Sequence, residues 1–519
     1  MRFDLENLPH DTVLLHRLVR DMAAQLEADR TQLAAAQAEL EKLHLIIKKF
    51  QRMQFGRRSE RLDPDQFSLG LEDLDADVAQ AEAQHPTPAA RDVEAASKPA
   101  GQRQALPDHL PREDVKHDID ASACPRCGGA LHPAGETVSE MLDWVPAQFR
   151  VIRIRRPKHA CRACGTIHQA AAPGRLIAKG MATPGLIAHV LVSKYCDHTP
   201  LYRQTQIFAR HGVELDRSTL ANWVGGACWW LEPLHARLAT HLLGSVKIFA
   251  DDTSIPVLDP GRGRTKTGRL WVYARDDRPW NGPDPPLALY FYSPDRKAER
   301  PAAHLDGFRG VLQVDGYAGF ERLADNGEVT LAACWAHARR NFYELHVNYA
   351  SPIAEEALRR IAEIYAIEAR IRGRSAGDRR LVRDAQSRPL VEAMKGWLER
   401  ELGRIPGRGD VAKAIRYMLA RWPALCQFLD DGRIELDTNT VERAIRPVTL
   451  GRKNHLFAGS DGGGERWATV CSLIATAKLN GVEPFAYLRD VLQRMADGHP
   501  MSRLDDLLPW NWTLESVKH

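Results

Sequence analysis

No apolar run in this 519-residue chain approaches the roughly 20 residues needed to span a bilayer. The amino terminus, MRFDLENLPHDT, lacks the charged-then-apolar segment that directs export. The expectation is a cytoplasmic protein with no membrane partner. A large excess of either charge is missing too: the formal net charge is +4, so overall basicity says nothing about nucleic acid. Cysteine is sparse. Five of the nine (Cys196, Cys228, Cys334, Cys426 and Cys471) are scattered, which in a reducing compartment reads as buried thiols, not disulfides. What is present is ordinary in bulk, 44% hydrophobic and 27% charged, but too long for one core. Three or more domains are expected.

The first of them is a repeat. One heptad register over residues 13–52 places Val19, Leu26, Leu33, Leu40 and Ile47 at a, with Met22, Ala36, Leu43 and Phe50 at d. Asp29 is the single polar d residue, and neither Pro nor Gly interrupts the run. A seven-residue period held over about four heptads predicts a coiled coil, hence a homodimer or higher oligomer. A lone amphipathic helix packed on its own domain is the alternative. We assign residues 1–61 to this element, ending in a basic run (Lys48, Lys49, Arg52, Arg57, Arg58, Arg61) that suits a phosphate-contacting arm or a solvated helix end. Residues 62–115 read as a flexible linker rich in Ala, Pro and acid: 63–98 hold nine acidic side chains against two basic.

Two CxxC pairs follow, Cys124 with Cys127 and Cys161 with Cys164, each trailed by Gly. Four thiolates close a tetrahedral site, so residues 116–178 are read as a zinc-binding β module holding one structural Zn²⁺. Thirty-three residues separate the pairs, more than compact ribbons need, which suggests an inserted hairpin with ETVSEMLDW and AQFRVIRIRRPKH as strands. Arg153, Arg155 and Arg156 give the module a basic face for double-stranded DNA. Residues 179–240 have the pattern of a helix-turn-helix: PGLIAHVLVSKYCDHT, LYRQTQIFAR, a turn at Gly212, then DRSTLANWV capped by Asp216. Arg217, Ser218, Thr219 and Asn222 would reach base edges. A helical bundle without DNA contact is the competing reading.

From about 245 the texture turns to strands: VKIFADDTSIPVLD, RLWVYARD and LALYFYS, then GVLQVDG and VTLAAC. Three strands in sequence and then strands alternating with helices match an α/β ribonuclease H-like order. Asp251 falls on the first strand and Asp315 at the end of the fourth. Glu442 falls on a helix starting near Asp437. Three such carboxylates suit two Mg²⁺ ions about 3.5–4 Å apart on a phosphodiester, Asp315 bridging both and Asp251 and Glu442 completing one each. The 126 residues between Asp315 and Glu442 are too many for a minimal core, so 343–436 is read as an all-helical insertion. It splits the catalytic domain into 241–342 and 437–490, with 491–519 as a tail. Arg443, Arg446, Arg452 and Lys453 follow Glu442 at spacings that would line a groove, as phosphate contacts or surface salt bridges. Cys334 and His337, in CWAH, read as local packing beside the strand or as half of a metal site.

These segments together resemble the bacterial insertion sequence sixty-six transposases. The likeness is carried by FGRRSERL, the twin knuckles, KYCDHTPLYRQ, VDGYAGF, CWAHARRNF and ERAIRPVTLGRKNHLFAGSDGGGERWATVCSLIATAKLNGVEPFAYLRDVL. It covers nearly the whole chain outside the linker. The resemblance implies a DDE transposase, Asp251, Asp315 and Glu442 being the three acids. Such an enzyme acts with Mg²⁺ on the terminal inverted repeats of its element and on target DNA. The resemblance also implies accessory proteins from the same element and a nucleoid-associated location. The family's Asp-Glu-Thr triplet is Asp251-Asp252-Thr253 here. Alternation puts the two acids on opposite faces, so one of them joins the site, Asp251 being favoured. The family's Asp-Asn-Asn appears as Asp437-Thr438-Asn439. A catalytically dead DNA-binding relic or repressor, or a nuclease on the same fold, would share much of this pattern.

Overall fold

A computed structural model describes residues 174–513 apart from 179, 260–262 and 326, together with residues 149, 151, 152, 158–160 and 167–169. The expected coiled coil (1–61), the linker (62–115), Cys124, Cys127, Cys161, Cys164, Arg153, Arg155 and Arg156 lie outside the described residues. The two strands, β1 (Lys158–Ala160) and β2 (Ile167–Gln169), pair antiparallel, with Ala160 opposite Ile167. Their hairpin therefore brackets the numbers of the second cysteine pair and takes in only the end of the expected strand AQFRVIRIRRPKH.

Three helices come next: α1 (Pro184–Tyr195), α2 (Leu201–Arg210) and α3 (Arg217–Leu243). Thr183 caps α1 through its side chain, and Gln204, buried on α2, donates to the carbonyls of Val190 (3.2 Å) and Thr199 (2.9 Å). Gly212 makes the turn into α3 at φ +74°, a conformation that costs glycine little. Asp216 stands at the start of α3 but forms no capping bond through its side chain. The expected third helix is short; the observed one continues through Pro233 to Leu243. The reason is a buried stripe at three- and four-residue spacing (Leu220, Trp223, Ala227, Leu231, Leu234, Leu238, Leu242) that packs its length onto the rest of the fold.

The core sheet has five strands: β3 (Lys247–Asp259), β4 (Arg264–Arg275), β5 (Leu287–Ser293), β6 (Gly310–Val314) and β7 (Val329–Ala333). Their order is β5-β4-β3-β6-β7, with β3–β4 and β4–β5 antiparallel and β3–β6 and β6–β7 parallel. A short helix, α4 (Glu299–His304), lies on the crossover before β6. The chain then builds α5 (Trp335–Tyr349), α6 (Pro352–Ile371), α7 (Ala376–Val382), α8 (Arg388–Arg404), α9 (Asp410–Ala420) and α10 (Trp422–Asp430). This helical stretch shares one hydrophobic core with the end of the sheet, joining Val311, Ala332 and Trp335 to Ile361, Met394, Ile415 and Phe428. The boundary expected at 342–343 falls inside α5.

Three helices close the fold: α11 (Asn439–His455), α12 (Asp461–Leu479) and α13 (Pro484–Ala496). β5 is an edge strand, and α12 covers it. Ser472 accepts the Tyr290 N–H at 2.9 Å and Thr476 accepts that of Ala288 at 3.2 Å, so the edge is satisfied without another strand. Gly464 makes the close approach possible, since a Cβ there would lie 2.5 Å from the Tyr292 ring. The segment expected as a tail begins within α13 and packs: Leu507 and Leu508 are buried, and the Tyr487 hydroxyl donates to the Leu507 carbonyl at 2.9 Å. Among the described residues no helix is long and apolar enough to cross a membrane.

Candidate active site

Asp251 is the fifth residue of β3, one step past the Ala250–Val314 pair that ends the parallel ladder with β6. Asp315 is the residue immediately after β6. The register therefore sets the two acids side by side where the parallel ladder ends, β3 itself running on to Asp259. Asp315 is held by its own turn: its Oδ1 accepts the Tyr317 N–H at 2.9 Å, and its carbonyl accepts the Tyr417 hydroxyl at 3.3 Å.

Glu442 reaches the same place from the far side of the helical stretch, and the segment before α11 is pinned to do so. The Trp335 N–H donates to the Leu436 carbonyl at 2.8 Å. Gln313, fully buried on β6, donates to the carbonyls of Glu435 (2.6 Å) and Asp437 (3.1 Å) and accepts the Glu435 N–H at 3.3 Å. Asp437 then accepts the Asn439 N–H at 3.2 Å, and the helix starts at Asn439. The helix expected to start near Asp437 thus starts two residues later and puts Glu442 in its first turn, where its Oε1 accepts the Thr438 hydroxyl at 2.9 Å. Gln313 and Thr438 were not singled out from the sequence. The signal for Gln313 was a lone amide in an otherwise apolar strand, GVLQV.

Electrostatically the site is unbalanced. Burial raises the Asp251 carboxyl well above its ordinary range, and the charges of Asp315, Asp252 and Glu442 push it further. Asp437, buried beside Glu435 and Glu442, is pushed up to about 6 by the same two effects. Asp252 lives differently. Its carboxylate lies 3.0 Å from an Arg269 nitrogen and 2.8 Å from one of Arg296, which partly offset its burial. The Arg296 guanidinium also stacks over the Tyr317 ring, 4.2 Å from its centre, and the Tyr317 hydroxyl donates to the Arg296 carbonyl. Two adjacent acids on one strand therefore point into a carboxylate cluster and into an arginine clamp.

Cys334 and His337 are brought to Glu442. Cys334 precedes α5 and His337 lies in its first turn; donor atoms of the three residues all fall within 4.8 Å of one another. Arg443, Arg446 and Lys453 are exposed along α11, with Leu450 between them. Arg443 further lines a cleft of about 530 Å³ with Arg278 and Arg372. Arg452 departs from the expectation of a DNA contact. It is buried and donates to the Ser254 carbonyl and, at 2.9 Å, to the Ser254 hydroxyl, docking α11 on β3. At the head of α3, Arg217, Ser218 and Asn222 are exposed and Thr219 is half-buried.

Comparison with known proteins agrees along the chain. Residues 179–466 match the Transposase IS66 family and residues 472–510 the IS66 C-terminal element. Residues 42–115 match a domain described as Transposase C of IS166 homeodomain. Residues 121–165, spanning all four knuckle cysteines, match the zinc-finger binding domain of transposase IS66. Three curated proteins of Sinorhizobium fredii, each described as uncharacterized, are similar over most of their length. One, y4jD, is 43% identical over 99% of this chain and 98% of its own. Another, y4qI, is 40% identical over the whole of both chains, and y4hP is 40% identical over 92% of this chain and 89% of its own. The chain, with its zinc-finger and DNA-binding modules, belongs to the IS66 family of transposases.

Proposed function

We propose that this chain is a DDE-type transposase that binds the terminal inverted repeats of its element and cuts and joins DNA at Asp251, Asp315 and Glu442. One observation carries the reading: three acids far apart in sequence converge where the parallel ladder ends, and Asp315 and Glu442 both push the Asp251 carboxyl up. The sheet order, three antiparallel strands followed by two parallel additions, supports a ribonuclease H-like core split by a helical insertion.

The donors are all carboxylate oxygens, which suits a hard divalent ion that keeps part of its water shell, and two Mg²⁺ fit the three acids. When bound, such ions activate the attacking hydroxyl and stabilise the leaving oxygen of an in-line displacement. The chain's own residues do the positioning. Tyr317 and Tyr417 fix the turn at Asp315; Thr438 orients one Glu442 oxygen and leaves the other for the site. Arg443, Arg446 and Lys453 lie where they would hold phosphates of the bound duplex. Arg217, Ser218, Thr219 and Asn222 would read base edges. The module of Cys124, Cys127, Cys161 and Cys164, with Arg153, Arg155 and Arg156, would add a zinc-supported basic face. The amino-terminal heptads would bring two or more copies to paired ends in the cytoplasm, at the nucleoid, with the element's accessory proteins as further partners.

The test is cleavage, with Mg²⁺, of a supercoiled plasmid carrying the gene's own flanking DNA. Wild type is expected to cut at the element ends, and Glu442→Gln to lose at least about a thousandfold, as removal of a central catalytic group does elsewhere. Equal cutting by both would remove Glu442 from the mechanism. DNA binding without cutting by either, even with the accessory proteins added, would make the chain a binder.

A further inference from the structure

We infer that Cys334, His337 and Glu442 form a second, zinc-class metal site, separate from the four-cysteine module, that ties the start of α5 to the start of α11. The three side chains come from two segments about a hundred residues apart, and their donor atoms lie within 4.8 Å of one another. The His337 Nδ1 is 4.0 Å from Glu442 Oε1. Bonds of about 2.3 Å to sulfur and about 2.0–2.2 Å to nitrogen and oxygen put tetrahedral ligands about 3.3–3.8 Å apart. Contraction of roughly 1 Å, within the reach of small side-chain rotations, would therefore close the set on an ion.

The donor chemistry differs from that of the cluster next door. One sulfur, one imidazole nitrogen and one carboxylate oxygen favour a borderline ion such as Zn²⁺ over Mg²⁺. Cys-x-x-His at the junction of a strand and a helix supplies two donors from a rigid corner. Glu442 supplies the third through Oε1, the oxygen turned toward Thr438 and His337. Thr438 bonds to that oxygen, the kind of outer partner that orients a ligating carboxylate. The other oxygen stays available to Asp251 and Asp315, so one carboxylate would serve both sites. The bound ion would fasten Glu442 across the helical stretch that separates it from the sheet.

The inference does not depend on cleavage and is tested without it. Full-length protein, dialysed after exposure to Zn²⁺ alone, is assayed for zinc per chain by elemental analysis, and separately loaded with Co²⁺ for its thiolate charge-transfer band. Cys334→Ser and His337→Gln, each checked for folding by circular dichroism, are expected to hold one zinc fewer than wild type. In a Cys124→Ser, Cys127→Ser background one zinc should remain, and adding Cys334→Ser or His337→Gln should remove it. Two substitutions guard against one failing to fold. A zinc count and cobalt spectrum unchanged by both would overturn the site, whatever the plasmid assay shows. Loss of zinc from the Cys334 and His337 variants, alongside a wild type that cuts nothing even with the accessory proteins added, would uphold it while sinking the DNA-cleavage reading.

Discussion

Two buried carboxylates in this molecule have been moved in opposite directions. Burial by itself would raise Glu435, at the end of the helical stretch, but Lys247, Arg379 and Arg383 outweigh it and hold the group below its ordinary range. Burial raises Asp251 as well, and the acids Asp315, Asp252 and Glu442, Asp315 most of all, add to it. Around Glu435 the charges are matched: Arg379 reaches Glu435 at 2.7 Å and Glu368 at 3.2 Å, while Arg383 grips Glu368 at 2.6 Å. Arg383 also donates to the carbonyls of Phe428, Asp431 and Ile434. A network that balances itself reads as architecture. A cluster in which acids raise one another reads as a place for cations brought from outside.

The largest expected effect breaks the balanced side. Arg383→Met would leave Glu368 without its closest cation and take one donor from each of three carbonyls. Loss of one partner of a buried pair costs about 3–5 kcal/mol, which should appear as a lowered denaturant midpoint. A loss under about 1 kcal/mol would mean that the network is not what holds α6, α7 and α10 together.

The opposite sign is expected at the acids. Because Asp251 has a folded pKa above its unfolded one, its charged form costs stability at pH values above the unfolded pKa. The cost grows as pH rises toward the folded pKa and vanishes below about pH 4, where both states are protonated. Asp251→Asn should therefore stabilise the metal-free protein at neutral pH, by about 0.5–2 kcal/mol, while abolishing cleavage. The gain should fade in acid, and Mg²⁺ should raise the melting temperature of wild type more than that of the variant. An Asp251→Asn protein that is less stable at pH 7 would place Asp251 among the structural acids.

The same contrast explains what could be read before the fold was seen. Asp251, Asp315 and Glu442 stand out because the first two are acids on apolar, strand-like runs and the third an acid on a helix-like one, and the five strands themselves were legible as such runs. The arginine clamp on Asp252 is invisible in sequence, because Arg269 and Arg296 reach it only once β4 and the turn after β5 fold over β3. Gln313 was legible as an oddity but not as a brace, since its partners lie more than a hundred residues away. The length of α3 is hidden in the sequence for a related reason. Its polar head suggested a short reading helix, whereas its burial depends on what it packs against, including the Tyr290 carbonyl that meets His235 at 2.9 Å.

The smallest effect separates neighbours on α11. Lys453 is exposed and Arg452 is buried against Ser254, although the two are adjacent. Each phosphate contact contributes about 0.9 to the slope of log affinity against log salt on duplex DNA. Lys453→Ala should lower that slope by about one contact and weaken binding nearly uniformly across sequences, with stability unchanged. Arg452→Ala should leave the slope alone and lower the melting temperature, because it undocks α11 from β3. Binding measured from low to moderate salt, beside thermal unfolding of the same two proteins, checks both at once. A reduced salt slope for Arg452→Ala at unchanged stability would mean that the arginine leaves Ser254 when DNA arrives. The exposed face of α11 would then extend one residue deeper toward the carboxylates than its resting geometry indicates.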